Sequence, residues 1–223
     1  MSPKEQLQEL RKTIETIQCS DRKQHLINMI WAAKGVTPLG NGLAVAPAST
    51  SKRYHHCEEG GLIRHIRQVI SIAECLGNCG TLTEVTLDSI ITVGILHDLH
   101  KVCDQNGQPY YISNVLQSGK VSKDKPYKIN DQYGDFEESD DVKSYVFENA
   151  TMKPTGHLSM MTVIKHAPEL YKTLTEDEKF AIVYHGGAYE ASGYTLAGKE
   201  NKLQILMHTA DMLSSRYPED QWH

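Results

Sequence analysis

The sequence predicts an all-α fold, on three observations. Leu, Ile, Val, Met and Ala recur at three- and four-residue spacing along most of the chain, the period of a helix that buries one face. Two segments, Ser2-Pro3-Lys4-Glu5 and Thr175-Glu176-Asp177-Glu178, carry the Ser/Thr-x-x-Glu signature of a helix start. Aromatic residues are only 7% of the chain, which leaves the core to aliphatic side chains suited to packing helix on helix.

Taken in order, Ser2 caps a first helix, Pro3 suits its first position, and Leu7, Leu10, Ile14 and Ile17 form its stripe. A second helix is expected over Asp21 to Lys34, stopped by Gly35. Residues 36–52 hold Pro38, Gly40, Gly42 and Pro47 and read as a loop. A helix follows from Gly61 to about Leu76. Another spans about Glu84 to Leu96, apolar over so much of its circumference that it should be central and buried. From Cys103 to Pro154 the period breaks. Asn106-Gly107 and Ser118-Gly119-Lys120 are turn signals, and Tyr110-Tyr111-Ile112 and Tyr127-Lys128-Ile129 are candidate short strands. The acidic stretch from Asp135 to Asp141 is expected to be solvated, with a short helix from Asp141. Helices resume at Thr155 or Gly156, at the Thr175 capping box with a stop at His185-Gly186-Gly187, and at Asn201. The expected organisation is an N-terminal helical segment over 1–45 and a main domain over 46–223, carrying a small β-hairpin or loop insertion at about 103–154. At 223 residues the chain is one domain's length, at about 100–200 residues each.

The net charge of −5, with no long basic run, gives no electrostatic footprint for duplex nucleic acid. Five cysteines without zinc-ribbon spacing fit reduced thiols in a cytoplasmic setting. The charged start is no secretory signal, and no apolar run reaches the ~18 residues of a membrane span. Walker, Rossmann and nucleophile-elbow signatures are absent.

The chemistry-bearing residues are histidines and aspartates on inward stripes. Ile90, Val93 and His97 fall at i, i+3 and i+7, so His97 continues the buried face of the most apolar helix, and Asp98 follows it. His65 follows Leu62 by three. His185 follows Ala181 and Ile182 at helical spacing, Asp211 follows Met207 by four, and His157 stands in the first turn of an apolar helix. Each alone is more often a satisfied core or cap residue. Five helices each offering an inward imidazole or carboxylate is the way helical bundles build metal sites, because a buried charge needs a partner.

The series His65, His97-Asp98, His157, His185, Asp211 resembles the H…HD…H…H…D ligand set of dinuclear HD-domain proteins. The segment from Tyr54 through His55, His56 and Gly61 to His65 looks like the approach to the first histidine in one branch. That branch includes the HD domains of some 3′–5′ exoribonucleases and many bacterial and phage hydrolases. Gly156-His157-Leu158-Ser159, Ala181-Ile182-Val183-Tyr184-His185 and Leu206-Met207-His208-Thr209-Ala210-Asp211 resemble it too, and the similarity covers about Ala46 to Arg216. The resemblance implies an HD-type helical bundle in which His65, His97, Asp98 and Asp211 hold one metal, with Asp98 bridging, and His157 and His185 complete a second. Imidazoles and carboxylates without thiolate suit manganese, iron, cobalt, nickel or zinc. Lys101, four residues after His97, is where the family often has a lysine facing a substrate phosphate. His100 departs from the glycine usual there. His55 is a candidate second-shell or phosphate-binding group and His56 a weaker one, while His166 and His208 read as packing or surface residues. Gly186 and Gly187 end a helix and would let substrate approach His185.

The implied function is hydrolysis of a phosphoester or phosphoanhydride in a nucleotide or short oligonucleotide, with a two-metal-activated water attacking phosphorus in line. Two other readings share the ligand series: a mixed-valence di-iron oxygenase, and a non-catalytic HD domain that binds a nucleotide.

Overall fold

The computed structural model describes residues 2–49, 55–78, 84–103, 106–107, 110–113, 146–148, 155–187, 196 and 198–217. Helix α1 (Pro3–Glu15) begins as its sequence predicts. Ser2 Oγ accepts from the Glu5 amide, and the Glu5 carboxylate accepts from the Ser2 amide at 2.6 Å.

Helix α2 (Ser20–Ile30) ends four residues before the expected Lys34. The chain turns back as two short antiparallel strands, β1 (Trp31–Ala32) and β2 (Gly35–Val36). Thr37 is the cause. Its Oγ1 donates to the Met29 carbonyl at 2.7 Å and its amide to the Ile30 carbonyl at 2.9 Å. Those are the acceptors residues 33 and 34 would need to extend the helix.

The stretch expected to be a loop contains helix α3 (Pro38–Val45). Thr37 Oγ1 accepts from the Gly40 amide as N-cap, and Pro38 takes the first position. Its glycines are sites of close approach, not breakers. A Cβ on Gly40 would lie 2.3 Å from the Ile30 carbonyl oxygen, and one on Gly42 would lie 2.6 Å from Val102 Cγ1.

Helix α4 (Gly61–Gly77) follows, then α5 (Leu87–Leu96), which starts late because the Thr86 hydroxyl caps the Ser89 amide. Every residue from Ile90 to Leu96 is buried, as its apolar circumference requires. After α5 the chain tightens into a 3₁₀ turn over Leu99–Lys101. Strand β3 (Tyr111–Ser113) pairs antiparallel with β4 (Val146–Glu148), Ile112 opposite Phe147. Val146–Glu148 is thus a strand where a helix from Asp141 was expected. The ladder to β3 takes its backbone, and β-branched and aromatic residues suit that role. Ser118–Lys120, Tyr127–Ile129 and Asp135–Asp141 lie outside the described residues.

The remaining helices are α6 (Thr155–His166), α7 (Pro168–Thr173), α8 (Glu176–Val183) and α9 (Lys202–Arg216), with the expected capping box at Thr175 and cap at Asn201. Helix α7 was not expected; Pro168 at its first position starts it. One apolar cluster runs from Leu7 and Leu10 through α4 and α5 to Ala210, so α1 and α2 share the core of the later helices. Glu178, fully buried, ties three elements. It accepts from the Thr175 amide, from Ser89 Oγ at 2.7 Å, and from Arg22 Nη1 at 2.5 Å.

Among the described residues no helix is long and apolar enough to cross a membrane. Cys19, Cys57, Cys75 and Cys103 form no disulfide.

Candidate metal centre

Four helices meet at one buried point. Helix α4 brings His65, the end of α5 brings His97 and Asp98, the end of α8 brings His185, and α9 brings Asp211. On a continuous helix, adjacent residues diverge by about 100°, so His97 and Asp98 can converge only where the helix stops. Asp98 has φ −111° and ψ 18°, outside the helix, and the 3₁₀ turn follows. Ser159 of α6 fixes this ending. Its Oγ donates to the His97 carbonyl at 2.5 Å and accepts from His100 Nδ1 at 2.7 Å. Gly94 sets the helix spacing, since a Cβ there would lie 2.5 Å from Ile70 Cγ1 of α4.

The donor atoms are close together. His65 Nε2 lies 3.3 Å from His97 Nε2, 3.1 Å from Asp211 Oδ1 and 3.4 Å from Asp98 Oδ2. His97 Nε2 lies 3.5 Å from Asp98 Oδ2 and 4.0 Å from Asp211 Oδ1, and His185 Nε2 lies 3.7 Å from Asp98 Oδ1. Ligands at ~2.0–2.2 Å from one ion stand about 3.0–3.5 Å apart at angles of 90–110°, which is the spacing seen around His65.

The polarity points the same way. His97 Nδ1 donates to the Gly94 carbonyl and His185 Nδ1 to the Ile182 carbonyl, each at 2.8 Å. A neutral imidazole bonded in this way presents Nε2 as a lone pair. Two such lone pairs and two carboxylates therefore face one another, a set of acceptors that a cation satisfies. His65, His97 and Asp98 alone already form a buried group able to hold a metal ion.

The protein's own charges make the point electrostatically. Burial opposes ionisation of Asp98, yet Lys101, His97 and His65 hold its carboxyl well below the usual carboxylate range. Asp211 is likewise held low against burial, chiefly by its bond to His65. Burial pushes His97 down to about 4. It also opposes a charge on His65, but the bonds to Asp211 and Asp98 prevail and raise that imidazole above its ordinary value.

Behind His65 runs a directed chain of hydrogen bonds. His65 Nδ1 donates to Ser214 Oγ at 3.0 Å, and Ser214 Oγ donates to Gln68 Oε1 at 3.1 Å. His56 Nε2 reaches the same oxygen at 3.0 Å, and Gln68 Nε2 donates to the Tyr217 carbonyl, which fixes the amide's orientation. Sequence reasoning passed over Gln68 and Ser214. The available signal was spacing: Gln68 follows His65 by three and Ser214 follows Asp211 by three, on the same inward stripes.

Lys101 lies on the 3₁₀ turn rather than one α-helical turn beyond His97. Its Nζ donates to Asp98 Oδ2 and to the Ala48 carbonyl, both at 2.7 Å. Tyr111 of β3 reaches the same carbonyl at 3.4 Å, which brings that strand to the edge of the site. His55 packs its ring 4.7 Å from that of His65. Burial, reinforced by His65 and Lys101, drives it to about 2, and Nε2 has no partner among the described residues. His100 is buried against Tyr110 and pushed by burial to about 3. His157 stands apart from these contacts, its ring edge-on to Tyr184 at 5.9 Å and its Nδ1 unpartnered among the described residues. Gly186 lies in the turn after α8. Gly187 is the conformationally demanding glycine, at φ +57° with the His208 ring 2.6 Å from any added Cβ. His208 also has a role, donating from Nδ1 to the His185 carbonyl at 2.8 Å.

Compared with family models, curated proteins and solved structures, the chain matches none.

Proposed function

We propose that the chain is a metal-dependent phosphohydrolase of the HD type, cleaving a phosphoester or phosphoanhydride of a nucleotide. The observation that carries this reading is the buried convergence of imidazole lone pairs and carboxylates at His65, His97, Asp98, Asp211 and His185. The HD reading gives His65, His97, Asp98 and Asp211 one ion and completes a second with His157 and His185. Divalent transition metals held there supply Lewis-acid activation of water and of a phosphoryl oxygen.

The chain's own residues do the rest. Lys101 stays protonated: burial pulls its pKa down, but Asp98 and its other neighbours outweigh that and raise it. Its ammonium sits beside Asp98 and can exchange the Ala48 carbonyl for a non-bridging phosphoryl oxygen. His55, held neutral next to His65, offers Nε2 to a substrate hydroxyl or phosphate. The hydrogen-bonded chain through Ser214 and Gln68 holds His65 with Nε2 inward.

The test is a nucleotide screen with manganese-, nickel- and iron-loaded protein, run with and without oxygen, with Asp98→Ala as control. Phosphate or nucleotide products formed anaerobically, and lost together with bound metal in Asp98→Ala, are expected. Turnover that needs both iron and oxygen would assign the site to oxygenation. Binding without turnover under every condition would assign it to a non-catalytic role.

A further inference from the structure

We infer that, within the phosphohydrolase reading on which this rests, the Tyr111 phenol protonates the leaving oxygen, and that the bond cleaved is therefore an alkyl phosphoester rather than a phosphoanhydride. The chain places a tyrosine pair, Tyr110-Tyr111, in the strand region that follows the turn of Asp98 and Lys101. The structure ties the pair back to that turn. The Tyr110 ring is buried and lies edge-to-face with two others, 4.8 Å from His100 and 4.9 Å from Tyr111. Ser159 Oγ holds His100 Nδ1 at 2.7 Å. The ladder of β3 and β4, with Tyr111 opposite Glu148, fixes the backbone that carries the phenol.

Two donors of different kind converge on one oxygen. The Ala48 carbonyl lies 3.4 Å from the Tyr111 hydroxyl and 2.7 Å from Lys101 Nζ, which also meets Asp98 Oδ2 at 2.7 Å. A phosphoester offers the same two donors two oxygens in place of one. The ammonium suits a non-bridging oxygen, which keeps its charge. The phenol suits the bridging oxygen, which needs a proton when it leaves. At 3.4 Å an O–H···O contact is long, so exchanging it for substrate gives up little. Tyr111 is half-buried, so substrate can meet it.

Ester hydrolysis needs such a proton. The water oxygen bonds to phosphorus as the bond from phosphorus to the leaving oxygen breaks. The leaving oxygen keeps that electron pair, takes the phenol proton and departs as an alcohol. The phenolate is restored by the proton that the attacking water releases. Opposite charges favour each other's ionised form, so the neighbouring Lys101 ammonium steadies the phenolate while it lasts. Other protons at the centre are committed among the described residues. His97, His185, His65 and His100 give theirs to Gly94, Ile182, Ser214 and Ser159, and the Lys101 ammonium is held against a carboxylate. A sugar alkoxide leaves poorly without an acid, whereas a departing phosphate carries its own charge readily. A phenol placed here serves an ester and is idle for an anhydride, which assigns the substrate class.

The test is the kinetics of metal-loaded wild type and Tyr111→Phe on two matched pairs of esters. One pair is adenosine monophosphate and p-nitrophenyl phosphate; the other is thymidylyl-thymidine and the p-nitrophenyl ester of thymidine 5′-monophosphate. Nitrophenolate leaves without a proton, and a sugar alkoxide does not. On the pair that is cleaved, Tyr111→Phe should lower kcat for the alkyl ester ~10²-fold or more. The loss on its p-nitrophenyl partner should be at least ~10-fold smaller. Phenylalanine keeps the ring against Tyr110, so bound metal and thermal midpoint should match the wild type, whereas a packing role would slow both esters alike. Equal losses on the two esters, or none on the alkyl ester, overturn the role of Tyr111 and leave the phosphohydrolase reading standing. So does a wild type that cleaves adenosine di- or triphosphate at the anhydride but neither pair of esters. A wild type that cleaves no phosphoester or anhydride overturns both.

Discussion

Ser214→Ala tests whether the hydrogen-bonded chain behind the centre tunes the metal. The substitution removes one oxygen from a fully buried position and takes away the acceptor 3.0 Å from His65 Nδ1. The tautomer that presents Nε2 to the ion then carries an unpaired buried N–H, at a cost of about 1–3 kcal/mol. Loss of an outer partner of a ligating histidine lowers metal affinity by roughly 10–100-fold, or about 1.4–2.8 kcal/mol. The two magnitudes agree, so a fall of that size is expected. Competition against a chromophoric chelator measures it, at one alkaline pH where protons do not compete for His65. Ser215→Ala is the matched control. Its hydroxyl reaches Asp211 Oδ1 only at 3.4 Å, too long to be worth much, and its affinity should change by less than about threefold. If Ser214→Ala binds metal as tightly as the wild type, the hydrogen-bonded chain is packing and does not position His65.

Lys101→Ala should keep its metal, because it frees Asp98 of a competing cation at 2.7 Å, while turnover on nucleotides falls about 10²-fold; metal analysis beside kinetics checks both. Metal affinity should fall by about tenfold per pH unit on acidification below the raised range of His65, since the ion must displace one proton there; a pH series of chelator competitions reads the slope. The sign reverses for the metal-free protein. His65 titrates above its unfolded value of 6.5, so its stabilisation is complete below that pH and is lost as pH rises through the folded value; the chelated protein's thermal midpoint should drop on that side. Glu178→Ala should cost about 3–5 kcal/mol in denaturant unfolding, because it strands the Arg22 guanidinium in a buried position.

What the sequence made legible was local. The capping boxes at Ser2 and Thr175 act within four residues, and the stripes of α4, α5 and α9 show as periodicity, so these helices appear where expected, with α5 starting three residues late. The misreadings arose where a distant partner decides the outcome. Gly40 and Gly42 look like breakers until Ile30 and Val102 are seen packed on them, and α2 looks longer until Thr37 takes its last carbonyls. The centre followed the same rule. His65, His97, Asp98, His185 and Asp211 stood out because charge or imidazole on a buried stripe is conspicuous. Ser159, Gln68 and Ser214 did not, because a neutral polar side chain at such a position looks ordinary until its partner, 62 or 146 residues away, is known.

Glu178 also bears on how the chain assembles. Its carboxylate meets Arg22 across 156 residues of sequence and Ser89 across 89. A helix that starts at Thr175 can form its cap early, but it can bury that carboxylate only after α2 and α5 have arrived. Until then the charge keeps the start of α8 in water, so the last step of ordering is shared by elements from opposite ends of the chain. Their amides are thus expected to exchange with solvent through one common opening rather than three separate ones. A fragment beginning at Ala46 would keep the acid and lose its guanidinium, and with it the lock that closes the fold.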